Sequence, residues 1–168
     1  MNDFAVRSST PEDLGEIARI YRHYVLNTSS TFEIESPTRK EMAKRRSSIL
    51  SLGLPYLVCE QDGAVVGYAY ANAYRPRAAY RFTVEDSIYV DPAYAGCGCG
   101  RALMAALIAE CEQGPWRQMI AVIGDSGNAA SIGLHQKFGF REVGTLRSVG
   151  FKFDRWVDTV LMQRELRL

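Results

Sequence analysis

Apolar positions along the chain recur at two spacings, and the switches between them mark out the elements. Phe4-Ala-Val-Arg reads as a short first strand, and Thr10-Pro-Glu-Asp opens a helix with an N-cap, a proline at the first helical position and early acidic residues. Leu14, Ile17, Ala18, Ile20, Tyr21 and Tyr24 then repeat at helical spacing and predict that helix's core stripe. Ser36-Pro-Thr-Arg-Lys-Glu caps a second helix reaching to about Leu52, with Met42, Ile49 and Leu50 inward and Arg45 and Arg46 on its solvated face. The spacing next shortens. Leu54 to Glu60, Ala64 to Ala73 and Arg81 to Asp91 read as strands two to four, the first two joined by a Gln61-Asp62-Gly63 hairpin turn. An apolar helix begins near Arg101 and ends near Gly114-Pro115. Trp116 to Gly124 follows as a fifth strand, Ala129 to Phe138 as a helix closed by Gly139, and Phe140 to Gly150 with Lys152 to Leu166 as a final strand pair. No repeat, low-complexity segment or linker interrupts this order, which predicts one domain over residues 1–168.

Four stretches carry candidate chemistry. Between strand four and the apolar helix stands Ala95-Gly96-Cys97-Gly98-Cys99-Gly100-Arg101, a loop with glycine at every second position. Glycine lets backbone N–H groups approach a ligand closely, and the helix start adds unpaired N–H groups and a positive dipole end. Arg101 adds a full charge, so the loop suits a pyrophosphate. A plain strand-to-helix turn is the competing reading. A dinucleotide site would need an acidic residue about twenty positions on, and a nucleoside triphosphate loop would need Gly-Lys-Ser/Thr; neither is supplied. Within strand four, Glu85 and Asp86 place two carboxylates where only one can face a given pocket, because successive side chains point to opposite faces. Such a group is costly in a central strand without a partner or a task. The loop Tyr74-Arg75-Pro76-Arg77-Ala78-Ala79-Tyr80-Arg81 is either a solvated connection or a site for a substrate anion. Arg75 and Arg81, with Tyr80, would clamp a carboxylate there. Phe32 and Glu33, between the first two helices, could wall an acceptor pocket.

The glycine loop resembles the Gln/Arg-x-x-Gly-x-Gly/Ala signature of the GNAT superfamily of N-acetyltransferases, which holds the pyrophosphate of acetyl-coenzyme A. Both required glycines match, and Ala95 stands where Gln or Arg is usual. The likeness extends over nearly the whole chain. Arg81-Phe-Thr-Val-Glu85-Asp-Ser-Ile-Tyr-Val, Asn128-Ala-Ala-Ser-Ile-Gly-Leu-His135 and the Gly144-Thr-Leu-Arg to Trp156-Val-Asp158 tail look like the phosphinothricin and methionine sulfone or sulfoximine acetyltransferases. The resemblance implies an α/β fold of mixed α+β character, with a central, mostly antiparallel sheet flanked by helices. It also implies acetyl-coenzyme A as co-substrate and the α-amino group of a small amino acid or analogue as acceptor.

Residue by residue, the resemblance places the cofactor on Gly96, Cys97, Gly98, Cys99, Gly100, Arg101 and Ser131, with Asn128 at the pantetheine arm; the residue type alone reads Asn128 as the N-cap of its helix, and one residue can serve both. A bulge on strand four is expected to aim the backbone of Ile88, Tyr89 and Val90 at the acetyl carbonyl. Glu85 becomes the candidate base for the acceptor amine. Many relatives carry a tyrosine acid on the helix after the fifth strand; this sequence has no tyrosine there, and His135 is either a proton donor to the leaving thiolate in its place or a structural histidine. Acetylation of a protein amino terminus, or acyl-coenzyme A binding without catalysis, are the alternative functions.

Composition narrows the setting. Lys and Arg total 20 against 19 Asp and Glu, with no long single-sign run, which argues against nucleic acid as a partner. No apolar stretch reaches the ~18 residues needed to span a membrane, and no signal-peptide pattern opens the chain, so a cytoplasmic protein is expected. Cys59 and Cys111 fit packing roles. Cys97 and Cys99 lack a second Cys/His pair at ligand spacing, so no metal is expected. A homodimer follows only from the habit of the family.

Overall fold

The computed structural model describes residues 4–166. Seven strands form one sheet in the order β1-β2-β3-β4-β5-β7-β6. They are β1 (Ala5–Ser8), β2 (Tyr56–Gln61), β3 (Ala64–Ala73), β4 (Thr83–Val90), β5 (Gln118–Gly124), β6 (Arg141–Lys152) and β7 (Arg155–Glu165). The helices are α1 (Leu14–Asn27), α2 (Arg39–Ser51), α3 (Cys99–Gln113) and α4 (Ala129–Lys137). Every strand pairing is antiparallel except β4 with β5, which run parallel over only Thr83–Glu85 and Gln118–Ile120. The mixed, mostly antiparallel sheet is the one expected.

Local chemistry explains most boundaries and corrects some. The residues after Thr10 first form a 3₁₀ turn, Pro11–Asp13, before α1 begins. Asp13 is tied to Arg7 by a two-pronged ion pair at 2.8 and 2.9 Å, which holds the start of α1 against β1. Within the predicted capping stretch the cap of α2 is Thr38, whose hydroxyl accepts from the Glu41 N–H at 3.2 Å. The final hairpin turns at Phe153-Asp154, both at positive φ, two residues later than the apolar pattern suggested. Arg45 and Arg46 are not merely solvated: Arg46 donates to Ser9 at 2.7 Å and Arg45 pairs with Glu33 and Glu41.

The two faces of the sheet differ. On one, Leu103, Met104, Leu107 and Cys111 of α3 are fully buried, and Cys99 lies beneath Gly67, where an added Cβ would sit 2.7 Å from its sulfur. On the other, α1 and α2 cover tyrosines from three strands, with Tyr56 and Tyr70 stacked at 5.0 Å and Tyr68 and Tyr89 at 5.3 Å. Burying such rings contributes about 1.5–3 kcal/mol each on area grounds. Cys59 and Cys111 are buried as expected for packing residues.

Candidate active site

The parallel seam ends at Glu85, which pairs with Ile120. Beyond it β4 and β5 part, and a cleft of about 720 Å³ opens between them. β4 keeps an unbroken register with β3 from Val84 to Val90, so no bulge against β3 is present. In its place the two strands splay: the β4 backbone groups that would face β5 after Glu85 lose their strand partner, and Ile88, Tyr89 and Val90 border the cleft. The Tyr24 hydroxyl donates to the Val90 carbonyl at 2.5 Å and fixes the end of the strand.

At the far end of the cleft the loop turns through Gly96 (φ +75°) and Gly98 (φ +106°) into α3. These are backbone conformations that side chains resist. Gly100 differs. Its φ is ordinary, and a Cβ there would meet Leu134 and Val90 at normal contact distances, so only two of the three glycines are required by backbone shape. The first turn of α3 leaves the amides of Cys99, Gly100 and Arg101 without intrahelical acceptors. Gly96, Cys97, Gly98, Gly100 and Arg101 all line the cleft, whereas the Cys99 side chain is buried in the core and offers only its N–H. A cradle of bare backbone with a dipole end and an arginine fits a pyrophosphate. Gly98→Val should therefore raise the KM for acetyl-coenzyme A about 10-fold or more, from the 1–3 kcal/mol that such a backbone position costs a β-carbon residue. Steady-state kinetics at varied donor concentration would check it.

On the opposite wall, Asn128 and Ser131 also line the cleft. The Asn128 side-chain oxygen accepts from the Ser131 N–H at 3.2 Å and caps α4, as its N-cap reading required. His135 sits one turn further on and is buried. Its Nδ1 lies 2.7 Å from the Ser131 carbonyl and must donate to it, which leaves Nε2 facing Asp86 Oδ2 at 2.9 Å. Burial opposes the charged imidazole, but the Asp86 hydrogen bond and charge outweigh it and hold the His135 pKa above its ordinary value. Phe140 stands edge-on to the ring at 4.9 Å. Asp86 was not singled out for a role by sequence, yet it lines the cleft and its Oδ1 is buried without a hydrogen-bond partner. Both nitrogens of His135 are thus engaged, and a proton leaving it toward the cleft must pass by way of Asp86 or break that contact.

Glu85 faces the other side of β4, as alternation demands. Burial first, then the neighbouring Asp86 charge, push its pKa up to about 7, against a smaller opposing effect of the Arg75 guanidinium. A carboxyl poised near neutrality is suited to taking a proton. Arg75, Tyr80 and Arg81 lie on the exposed loop ahead of β4, where Arg75 covers the Tyr74 ring at 5.1 Å and Arg81 covers Phe82 at 4.5 Å. Neither arginine has an ion-pair partner among the described residues. Glu33 is anchored by Arg45 at 2.5 Å and Tyr21 at 2.9 Å. Phe32 packs over Gly150 of β6, where a Cβ would come within 2.4 Å of its ring, and Lys152 donates to the Thr31 carbonyl at 2.8 Å. The loop between α1 and α2 is therefore clamped to the last hairpin.

A splayed parallel pair in an otherwise antiparallel sheet, with a glycine loop at one end and a carboxyl of raised pKa at the seam, is an arrangement suited to an acyltransferase that uses acyl-coenzyme A. The acetyltransferase (GNAT) family model matches residues 17–140, and the chain belongs to that family. It is an N-acetyltransferase with acetyl-coenzyme A as donor. Over 161 residues the chain is 56% identical to the phosphinothricin N-acetyltransferase of Alcaligenes faecalis, which covers 96% of this chain and 82% of that one. It is 38% identical over 164 residues to the L-methionine sulfoximine/L-methionine sulfone acetyltransferase of Salmonella typhimurium, covering 96% and 94%. The crystal structure of a phosphinothricin acetyltransferase from Sinorhizobium meliloti in complex with acetyl-coenzyme A superposes with a TM-score of 0.94 at 46% identity, covering 98% of this chain and 89% of that one. Among the described residues no helix is long and apolar enough to cross a membrane, and no cluster of His, Cys, Asp and Glu could hold a metal.

Proposed function

We propose that this enzyme acetylates the α-amino group of a small amino acid or amino-acid analogue of the phosphinothricin or methionine sulfone type, in the cytoplasm. The observation that carries the reading is Glu85, a carboxyl with its pKa pushed up to about 7 at the point where β4 leaves β5. Acetyl-coenzyme A supplies the acetyl group as a thioester. The Gly96 to Arg101 loop holds its pyrophosphate, Asn128 and Ser131 border its pantetheine arm, and the freed backbone of Ile88 to Val90 offers donors to the acyl carbonyl oxygen. Glu85 takes the proton of the acceptor ammonium, directly or through water, so that the amine can attack. Arg75 and Arg81, with Tyr80, orient the acceptor carboxylate, and Phe32 and the anchored Glu33 wall the pocket. Asp86 is a positioning residue: its hydrogen bond and charge raise the His135 pKa, and His135 supplies the proton for the departing thiolate.

Following free-thiol release with phosphinothricin, methionine sulfone, methionine sulfoximine, ordinary amino acids and short peptides tests this. Turnover confined to amino acids and their analogues is expected; turnover on peptides alone would overturn the carboxylate clamp and favour amino-terminal acetylation of proteins.

We also propose that the enzyme is a homodimer joined through its last hairpin. β6 is an edge strand of the sheet, and Leu146, Val149, Phe151, Phe153 and Trp156 on this hairpin are each about half exposed or more. An apolar strip on a free edge invites a second copy of the same strand. Trp156→Glu should shift sedimentation from dimer to monomer at micromolar concentration. A wild-type protein that sediments as a monomer would refute the assembly.

A further inference from the structure

Strand alternation gives Glu85, Ser87 and Tyr89 one face of β4 and turns Asp86, Ile88 and Val90 to the other. In the β3–β4 register the first three stand opposite Asn72, Tyr70 and Tyr68. They differ in what they reach. Ser87 and Tyr89 line the cleft of about 720 Å³ beyond the seam, whereas Glu85, still paired with Ile120, stands behind it. At the rise of a strand, Glu85 lies roughly 7 Å from Ser87 and 10 Å from Ile88, where the freed backbone meets the acyl carbonyl. A hydrogen bond spans only about 3 Å, so a proton leaving an amine in the cleft needs an intermediary to reach that carboxyl. The neighbours narrow the choice. Burial pushes the phenols of Tyr70 and Tyr89 up, so both stay protonated and neither takes the proton of an ammonium. Tyr24 spends its hydroxyl on the Val90 carbonyl, and Glu33 is held by Arg45 and Tyr21. On the opposite wall His135 has both nitrogens engaged, one of them by Asp86. Glu85 is only half-buried, so water reaches its carboxyl.

Resting on the reading of Glu85 as base, we infer that Ser87 is a catalytic relay: its hydroxyl accepts the ammonium proton of the acceptor and passes its own, across one bridging water, to the Glu85 carboxylate. The N–H bond of the ammonium breaks as a new Ser87 O–H forms, the former Ser87 proton moves to the water, and a water proton moves to Glu85. Serine and water end as they began. The amine gains a free lone pair beside the acyl carbon, and Glu85 becomes neutral. Pairing of Ser87 with Tyr70 across β3 holds the backbone that presents this hydroxyl to the cleft.

The test measures kcat, and kcat/KM against pH, for wild type, Ser87→Ala, Glu85→Gln and the double variant at saturating acetyl-coenzyme A, with phosphinothricin or methionine sulfone, whichever turns over faster. Ser87→Ala should lower kcat by ~10²-fold, the low end for proton transfer by a positioned group, and should lose the rise in kcat/KM through neutrality although its Glu85 is intact. Adding Ser87→Ala to Glu85→Gln should cost less than about twofold more, because both residues serve one transfer. Losses that multiply would overturn the inference, as would a single variant within about twofold of wild type. Slowed turnover with a lower melting temperature and an unmoved pH profile would mark Ser87 as merely structural, and would overturn it too. The two readings fail separately. A slow Glu85→Gln beside a fast Ser87→Ala would sink the relay and keep the base, whereas a fast Glu85→Gln would remove the base and the relay with it. A wild type inert toward both acceptors would sink the acceptor reading and the relay together.

Discussion

Glu85→Gln should lower kcat by ~10²–10⁴ while leaving the affinity for acetyl-coenzyme A close to that of wild type, because the side chain faces away from the cofactor cleft. Glutamine keeps the shape and loses the ability to accept a proton. The pH profile gives the sharper reading. With the Glu85 pKa pushed up to about 7, wild-type kcat/KM should rise through neutrality as the carboxyl ionises, and the variant should lack that limb. Stability should move the opposite way. A carboxyl whose folded pKa lies above its unfolded value contributes stability below the ordinary carboxylate range and loses it as pH rises through about 7. Above that pH, Glu85→Gln should melt at a higher temperature than wild type. Equal turnover of the two proteins across pH 6–9 would remove Glu85 from the mechanism.

The second large effect is expected at Asp86. Asp86→Asn preserves volume and lets the new amide donate to His135 Nε2, which then carries no proton, since Nδ1 must keep its own for the Ser131 carbonyl. The imidazole becomes neutral and has no proton to give. We expect kcat to fall by ~10²-fold, the lower range for a general acid, and the alkaline limb of the profile to move to lower pH. A purely structural pair would show a lower melting temperature with the limb unmoved. Nitrogen NMR of the labelled imidazole would report the same change directly, as a shift to lower pH of its conversion between the doubly and singly protonated forms.

How much of this was legible in the sequence depended on whether the signal was local. The glycine loop, the strand containing Glu85 and the Asn128 cap declare themselves through neighbours in the chain, and the structure puts each where its local chemistry required. Backbone shape further separates Gly96 and Gly98 from Gly100, a distinction that composition does not carry. Asp86 was visible only as a neighbour of Glu85, because its partner His135 is 49 residues away. The tyrosine stack was hidden for the same reason. Tyr68 and Tyr70 show a two-residue alternation, but Tyr56 and Tyr21 join them only once β2 and α1 have packed. Arg45 looked like part of a solvated helix face until the loop carrying Glu33 folded back onto it. Capping and turn rules located the elements; pairing between distant carboxylates and bases did not follow from them.

One feature of the sheet bears on how the molecule holds together. Its seven strands form two antiparallel plates, β1 to β4 and β5 to β7, and the weld between them is three residue pairs long. The cradle belongs to the helix that follows the first plate, whereas Asn128 and Ser131 belong to the helix that follows the first strand of the second. Whatever occupies the cleft therefore grips both plates at once. With acetyl-coenzyme A seated there as proposed, occupancy is also a cross-brace, and the energy released on binding reinforces the sheet along its shortest seam.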